Sequence, residues 1–158
     1  MLGNNAFYET KLKQYIEENE IPAEHLVFER SCHSVAEAAE TAGVTREDFI
    51  KSVCMMAADG RLVVGIVKGE DRASTTRVAK VLGVETVRIA NEEEMLERTG
   101  YPCGGTPAFG YPAQFLIDER VLRKEVVYSG GGSETALVKM RSVDLSKANG
   151  GRIVRIRS

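Results

Sequence analysis

The chain has 158 residues, 43% of them hydrophobic and 28% charged, with a formal net charge of −2. That length suits a single domain, residues 1–158, able to bury a core without help from disulfides or a structural metal. No apolar run reaches the roughly 20 residues of a membrane helix, and the N-terminus lacks the apolar segment of a secretory signal, so a cytoplasmic protein with no membrane partner is expected.

The three cysteines, Cys32, Cys54 and Cys103, are far apart and never form a C-x-x-C pair, which fits reduced thiols. The two histidines, His25 and His33, have no zinc-like spacing to them. Neither a metal nor a cofactor is expected.

In chain order, Phe7, Leu12, Tyr15 and Ile16 give a helical apolar stripe from about Ala6 to Asn19, stopped by Pro22. His25–Arg30 reads as a strand. Ser34-Val-Ala-Glu37 is a capping box that opens a helix over Ala38, Ala39 and Ala42, with Gly43 as its stop. Ser31, Cys32 and His33 then sit at a helix N-terminus, where unpaired N–H groups and the dipole favour an anionic or polar ligand; plain capping already accounts for Ser34. Thr45-Arg-Glu-Asp48 repeats the cap pattern on a short turn.

The run from Ile50 meets Asp59-Gly60 and returns to Val67, a hairpin. Alternation puts Lys51 with Val53, Met55 and Ala57 on one face, and Ile50, Ser52, Cys54 and Met56 on the other. Both faces are largely apolar, so the strand should be buried on both sides. Lys51 then either snorkels to water from the strand end or reaches into a cleft as a fixed cation that needs an anionic or carbonyl partner.

Ser74 caps a helix that Gly83 ends. Val84–Ala90 alternates as a strand, and Asn91 with Glu94 caps a helix over Glu92–Thr99, with Gly100 beyond it. Four strands follow: Gln114–Ile117, Glu125–Ser129, Ala136–Val143 and Arg152–Arg157. From Arg120 onward nine Lys/Arg face three acids, a charge of +6, against −8 for the remainder. Such a basic third could meet a polyanion, or could simply be solvated strand faces. The order is not a regular βα alternation. It predicts an α+β fold with a curved, mixed, barrel-like sheet and helices packed outside.

Two loops stand out. Tyr101–Pro112 (YPCGGTPAFGYP) holds three of the chain's four prolines together with Gly104, Gly105 and Gly110. Such a segment cannot be a regular helix or an interior strand, and its remaining N–H groups are available to a ligand. Ser129-Gly130-Gly131-Gly132-Ser133 is a second glycine loop. No nucleophile elbow, Walker loop or dinucleotide fingerprint is present. Asp118 and Glu119, as strand neighbours, make a poor acid–base pair. Cys103 as a nucleophile would need one of only two histidines to activate it. Backbone amides, one lysine and a helix N-terminus suit a substrate that is already reactive and brings its own nucleophile. An aminoacyl ester with its vicinal hydroxyl is one, and amides aimed at a developing oxyanion are worth about 2.7–4 kcal/mol each.

These residues also carry a family resemblance. His33-Ser34-Val35, Ala38-Ala39, Ile50-Lys51-Ser52, Gly65, Lys68-Gly69, Arg72, Lys80, Gly83, Arg88-Ile-Ala90, Glu93, Thr99-Gly100, Gly104-Gly105, Pro107, Gly110 and Ser129-Gly130-Gly131 resemble the YbaK/prolyl-tRNA synthetase-associated editing domain, over roughly residues 25–145. The resemblance implies a free-standing trans-editing deacylase that hydrolyses mischarged tRNA, of tRNA-Pro or a related tRNA. Its partners would be the 3′ end of an aminoacyl-tRNA and, conceivably, a synthetase. It also implies Lys51, Gly104 and Gly105 as the catalytic set, with His33, Ser34, Arg72, Thr106, Pro107, Ala108, Phe109, Gly110, Ser129, Gly130 and Gly131 on the substrate side. The family's Gly-x-x-x-Pro loop is shortened here, because Ala108 stands four places after Gly104 and the proline falls at Pro107. Phe109 and Met55 are candidates for the side-chain pocket. The same residues would equally serve a non-catalytic module that holds a tRNA end or a nucleotide.

Overall fold

A computed structural model describes residues 2–29 and 35–158. Helix α1 (Leu2–Glu18) leads into strand β1 (Ala23–Val27), followed by α2 (Val35–Ala42) and the hairpin of β2 (Ile50–Ala57) and β3 (Leu62–Lys68). Then come α3 (Thr75–Leu82), β4 (Val87–Ile89), α4 (Glu92–Thr99), β5 (Gln114–Ile117), β6 (Val126–Gly130), β7 (Ala136–Arg141), α5 (Leu145–Asn149) and β8 (Arg152–Ile153). No helix among the described residues is long and apolar enough to cross a membrane.

The local signals act where the sequence places them. Ser74 accepts a hydrogen bond from the Arg77 amide, and Asn91 and Glu94 form the reciprocal capping box of α4. Gly83 and Gly100 end these helices in the left-handed conformation, at φ 69° and 80°. The hairpin turn is wider than two residues: Met56 pairs with Leu62, and Gly60 takes φ 89° between them. β4 and β8 keep only the segments that find a partner, residues 87–89 and 152–153. The short helix α5 is too brief for hydrophobic periodicity to reveal.

The expected α+β class holds, but the single barrel-like sheet does not. There are two open sheets, a mixed five-stranded one in the order β4-β2-β3-β5-β8 and an antiparallel three-stranded one in the order β1-β7-β6. One parallel bridge, Phe49 with Tyr128, joins the start of β2 to β6. A barrel needs a continuous ladder at the seam, and here the ladder stops after one pair.

The central strands are buried on both faces, as the alternation of β2 requires. Ile50, Cys54 and Met56 pack with Val64, Ile66, Phe115 and Ile117 toward Leu12 and Ile16 of α1 and Val127, Val138 and Met140 of the smaller sheet. Met55, Val63, Val67 and Leu116 point the other way, onto Val78 of α3 and Ile156. A third cluster, Ala38 and Ala39 of α2 with Phe49, Tyr128 and Leu137, covers the junction between the sheets.

Asp118, just after β5, ties the C-terminal segment to this core. It is fully buried; its Oδ1 accepts from the Ile156 and Arg157 amides at 2.8 and 3.0 Å, and its Oδ2 accepts from the Arg120 amide at 3.1 Å and the Arg157 guanidinium at 3.0 Å. Burial alone would push its pKa up, but these donors outweigh it and hold the carboxyl below its usual value. Asp118 is therefore a structural anchor, not an acid–base partner of Glu119.

A group with a depressed native pKa stabilises the fold above its unfolded value and loses that contribution as pH falls through the native one. Asp118→Asn is expected to lower the unfolding free energy by about 1.5–3 kcal/mol at neutral pH. In urea titrations at a series of pH values, the gap from the parent should narrow as acid protonates the native carboxylate.

Candidate functional site

The bridge between Phe49 and Tyr128 decides where the site forms, because it lays the first residues of β2 beside the end of β6. A cleft of about 300 Å³ opens there. Its walls come from Phe49–Ser52 of the β2 entry, Ser129 and Gly130 of β6, Ala136 and Leu137 of β7, Ala38 of α2, Met95 of α4, and Cys103, Gly104 and Thr106 of the first glycine loop. It lies at the small end of the range for ligand sites.

The first loop has a fixed shape. The Gly105 amide donates to the Pro102 carbonyl at 3.1 Å, closing a turn whose third residue, Gly104, has φ 90°, as a type II turn requires at that position. Further along, the Tyr111 hydroxyl donates to the Pro107 carbonyl at 2.6 Å, and Asn149 Nδ2 donates to the Ala108 carbonyl at 2.9 Å. The Gly105 amide is thus already engaged and does not belong to the unpaired set expected from the sequence. The Thr106 amide has no partner among the described residues, and the Gly104 amide lies against the Cys103 thiol.

The two glycine loops touch main chain to main chain. A Cβ on Gly105 would stand 2.5 Å from the Ser133 nitrogen; on Gly130, 2.3 Å from the Thr106 oxygen; and on Gly131, 2.4 Å from Ala136 C and Leu137 N. None of the three has a positive φ, so the requirement is space and not backbone conformation. The Gly132 amide donates to the Gly105 carbonyl at 2.7 Å and locks the contact. His25 of β1 supports the second loop, with Nε2 2.8 Å from the Gly131 carbonyl oxygen.

Lys51 is half-buried and lines the cleft. Burial lowers its pKa, the nearby Arg72 lowers it further, and Asp71 opposes both. Among the described residues no carboxylate forms an ion pair with it. Of the two hydroxyls on the same walls, Ser129 Oγ is buried without a hydrogen-bond partner among the described residues, whereas Ser52 Oγ lies against the Tyr111 hydroxyl. An unpartnered group of this kind is costly unless a ligand or water completes it. Cys103 is exposed, and its thiol is pushed up by desolvation and by Glu92, against the Gly104 amide; it has the environment of a protonated thiol rather than an activated nucleophile.

The other sequence-derived candidates separate. Thr106, Ser129 and Gly130 line the cleft with Lys51 and Gly104, whereas Gly105, Pro107 and Gly131 are buried behind it as loop supports. Ala108 and Phe109 are wholly buried in the core, Phe109 stacked on Tyr15, and Gly110 packs against Leu12 and Tyr15 of α1. Phe109 therefore lines no part of this cleft, nor does Met55, which faces the second core. Arg72 is exposed and acts on Lys51 only through its charge. His33 and Ser34 lie outside the described residues. Sequence reasoning missed Ser52 and Met95 as wall residues; Ser52 left a signal, as the polar residue on the otherwise apolar Ile50/Cys54/Met56 face.

The basic C-terminal third is partly neutralised. Arg120 pairs with Asp71, Lys124 with Glu47 and Asp48, and Arg157 with Asp118 and Glu119, while Arg123, Arg141, Lys147, Arg152 and Arg155 remain exposed.

Fold and cleft together define an α+β domain whose two glycine loops meet beside Lys51. The chain belongs to the aminoacyl-tRNA editing domain family, whose model matches residues 29–148. It is 25% identical over 140 residues to the uncharacterized protein YwhH of Bacillus subtilis, covering 87% of this chain and 86% of that one. It is also 32% identical over 110 residues to the proline–tRNA ligase of Acidithiobacillus ferrooxidans, a match that takes in 66% of this chain and 19% of the ligase. Among solved structures, a hypothetical protein superposes with a TM-score of 0.86 at 27% identity, over 94% of this chain and 99% of that one. A structure described as a candidate trans-editing enzyme for prolyl-tRNA synthetase superposes with a TM-score of 0.88 at 23% identity, over 96% and 97% of the two chains.

The close contact between the loops predicts the effect of a single methyl group. Gly105→Ala and Gly130→Ala are each expected to cost about 1–3 kcal/mol of stability through overpacking, read as a lower urea midpoint with an unchanged slope.

Proposed function

We propose that the cleft is a hydrolytic site for the aminoacyl ester of mischarged tRNA, so that the protein acts in trans as an aminoacyl-tRNA deacylase, on tRNA-Pro or a closely related tRNA. One observation carries this reading: a single cleft is lined by Lys51, which has no carboxylate partner among the described residues, by the buried, unpartnered Ser129 hydroxyl and by Thr106, whose amide is unpaired among the described residues. Family membership and the proline–tRNA ligase relatives support the choice of substrate class.

In this reading the ester carbonyl lies beside the first loop, and the Thr106 amide stabilises the oxyanion as it develops. Lys51 meets a phosphate or ribose oxygen of the 3′ end and holds it, without acting as a base. The nucleophile is a water molecule, the 2′-hydroxyl or a substrate thiol. In the water case its oxygen bonds to the carbonyl carbon, the ester C–O bond breaks, and the water proton passes to the departing 3′-oxygen. The products are a free amino acid and an uncharged tRNA. The acidic rim of Glu92, Glu93 and Glu134 around Pro102 and Cys103 repels phosphates, so the acceptor stem approaches from the Lys51 and Arg72 side.

Lys51→Ala is expected to lower deacylation of mischarged tRNA by about 100-fold or more with an unchanged melting curve, whereas Cys103→Ala should retain turnover. Near-parental turnover in Lys51→Ala would overturn the assignment. Stoichiometric binding of the tRNA without steady-state release of amino acid would make the protein a non-catalytic tRNA-end binder.

A further inference from the structure

His25 has no part in the proposed chemistry and is not among the cleft walls, yet it reaches the second glycine loop. Strand β1 pairs with β7, and β7 with β6, so that His25, Val138 and Ser129 stand in one row across the smaller sheet. Side chains in such a row share a face of the sheet. From there His25 Nε2 lies 2.8 Å from the Gly131 carbonyl oxygen. The bond falls two residues beyond Ser129, whose buried hydroxyl lines the cleft.

The loop needs such a bond because it has no side chains to hold it. A Cβ on Gly130 would meet the Thr106 carbonyl, and one on Gly131 the Ala136–Leu137 peptide. The fastening therefore falls to main-chain groups. The Gly131 amide donates to the Ala136 carbonyl at 3.1 Å, and the Gly132 amide to the Gly105 carbonyl at 2.7 Å. Gly131 is buried, and its own carbonyl receives no backbone N–H among the described residues. His25 supplies that donor. A carbonyl oxygen only accepts, so Nε2 carries the hydrogen. Nδ1 makes no hydrogen bond among the described residues and is bare in the neutral ring.

We propose that His25 is a positioning residue for the deacylase site: its Nε2–H holds the Gly131 carbonyl, and through it the Ser129–Gly130 wall and the Thr106 amide opposite. This rests on the reading of the cleft as the hydrolytic site. The link to Thr106 is steric. Gly130 lies against the Thr106 carbonyl with no room for a methyl group, and the Gly132–Gly105 bond ties the two loops close by. A second loop released at Gly131 lets the first loop shift with it, and the amide that meets the developing oxyanion shifts too.

The tautomer is read by long-range nitrogen-15–proton NMR of the intact protein at alkaline pH, the His25 ring assigned by its loss in His25→Gln. The expected state is Nε2–H, and a ring protonated at Nδ1 instead overturns the proposal. Two substitutions then separate the donor from the packing of the ring. His25→Leu removes the donor, and His25→Gln keeps an N–H donor at similar reach. In steady-state deacylation of mischarged tRNA, His25→Leu is expected to lower kcat about tenfold with KM unchanged, short of the roughly hundredfold that a 1 Å misplacement costs. His25→Gln should restore the parental kcat. A parental kcat in His25→Leu, or an equal loss in both variants, overturns the proposal, the latter by assigning the effect to ring packing. If His25→Leu fails to fold by circular dichroism, the tautomer and His25→Gln decide: parental turnover with Nε2–H upholds the proposal, and lost turnover overturns it. If the parent itself releases no amino acid, the deacylase reading falls, and hydrogen exchange at the Gly132 amide decides on His25. Faster exchange in His25→Leu than in the parent and His25→Gln upholds the fastening, and equal rates overturn it.

Discussion

The site depends on a contact that leaves no room for side chains. Gly105 lies against Gly132 and Ser133, Gly130 against Thr106, and Gly131 against the Ala136–Leu137 peptide. The two loops belong to different sheets, so this approach fixes one sheet against the other at the point where the ladder supplies a single bridge. Close packing of main chain on main chain gives little freedom to deform. The cleft walls contributed by Gly104 and Thr106 on one side and Ser129 and Gly130 on the other are therefore held at a set separation before any ligand arrives. Preorganisation of that kind is what lets backbone amides act on a transition state without a reorganisation cost.

Two charged groups show how differently the fold treats buried polarity. Asp118 is saturated: three amides and a guanidinium meet its two oxygens, and it anchors the C-terminal segment. Lys51 is left without an ion-pair partner among the described residues, on the cleft that also holds the unpartnered Ser129 hydroxyl.

Much of this was readable from residue order. The caps at Ser74 and Asn91, the glycine stops at Gly83 and Gly100 and the two apolar faces of β2 follow from local chemistry, which acts within a turn or along one strand. The first loop was recognisable because Pro102, Pro107 and Gly104 forbid regular structure whatever surrounds them. The same reasoning went astray where a residue type has two uses. Gly105 read as a ligand-facing amide, but its N–H closes a turn on Pro102 and its missing side chain makes room for Ser133. Phe109 read as a pocket residue and is a core residue stacked on α1.

The sequence by itself determined most of the elements, the capped and glycine-stopped ends of α3 and α4, the α+β class and the family, because caps, periodicity and glycine or proline constraints act over a few residues and do not depend on what packs against them. Only the tertiary structure decided that the sheet divides in two, that Ser52 and Ser129 share a wall with Lys51, and which loop amides are already engaged. Those outcomes depend on contacts between segments tens of residues apart, where a backbone group is either consumed by a neighbour or left for a ligand, and no local pattern records which.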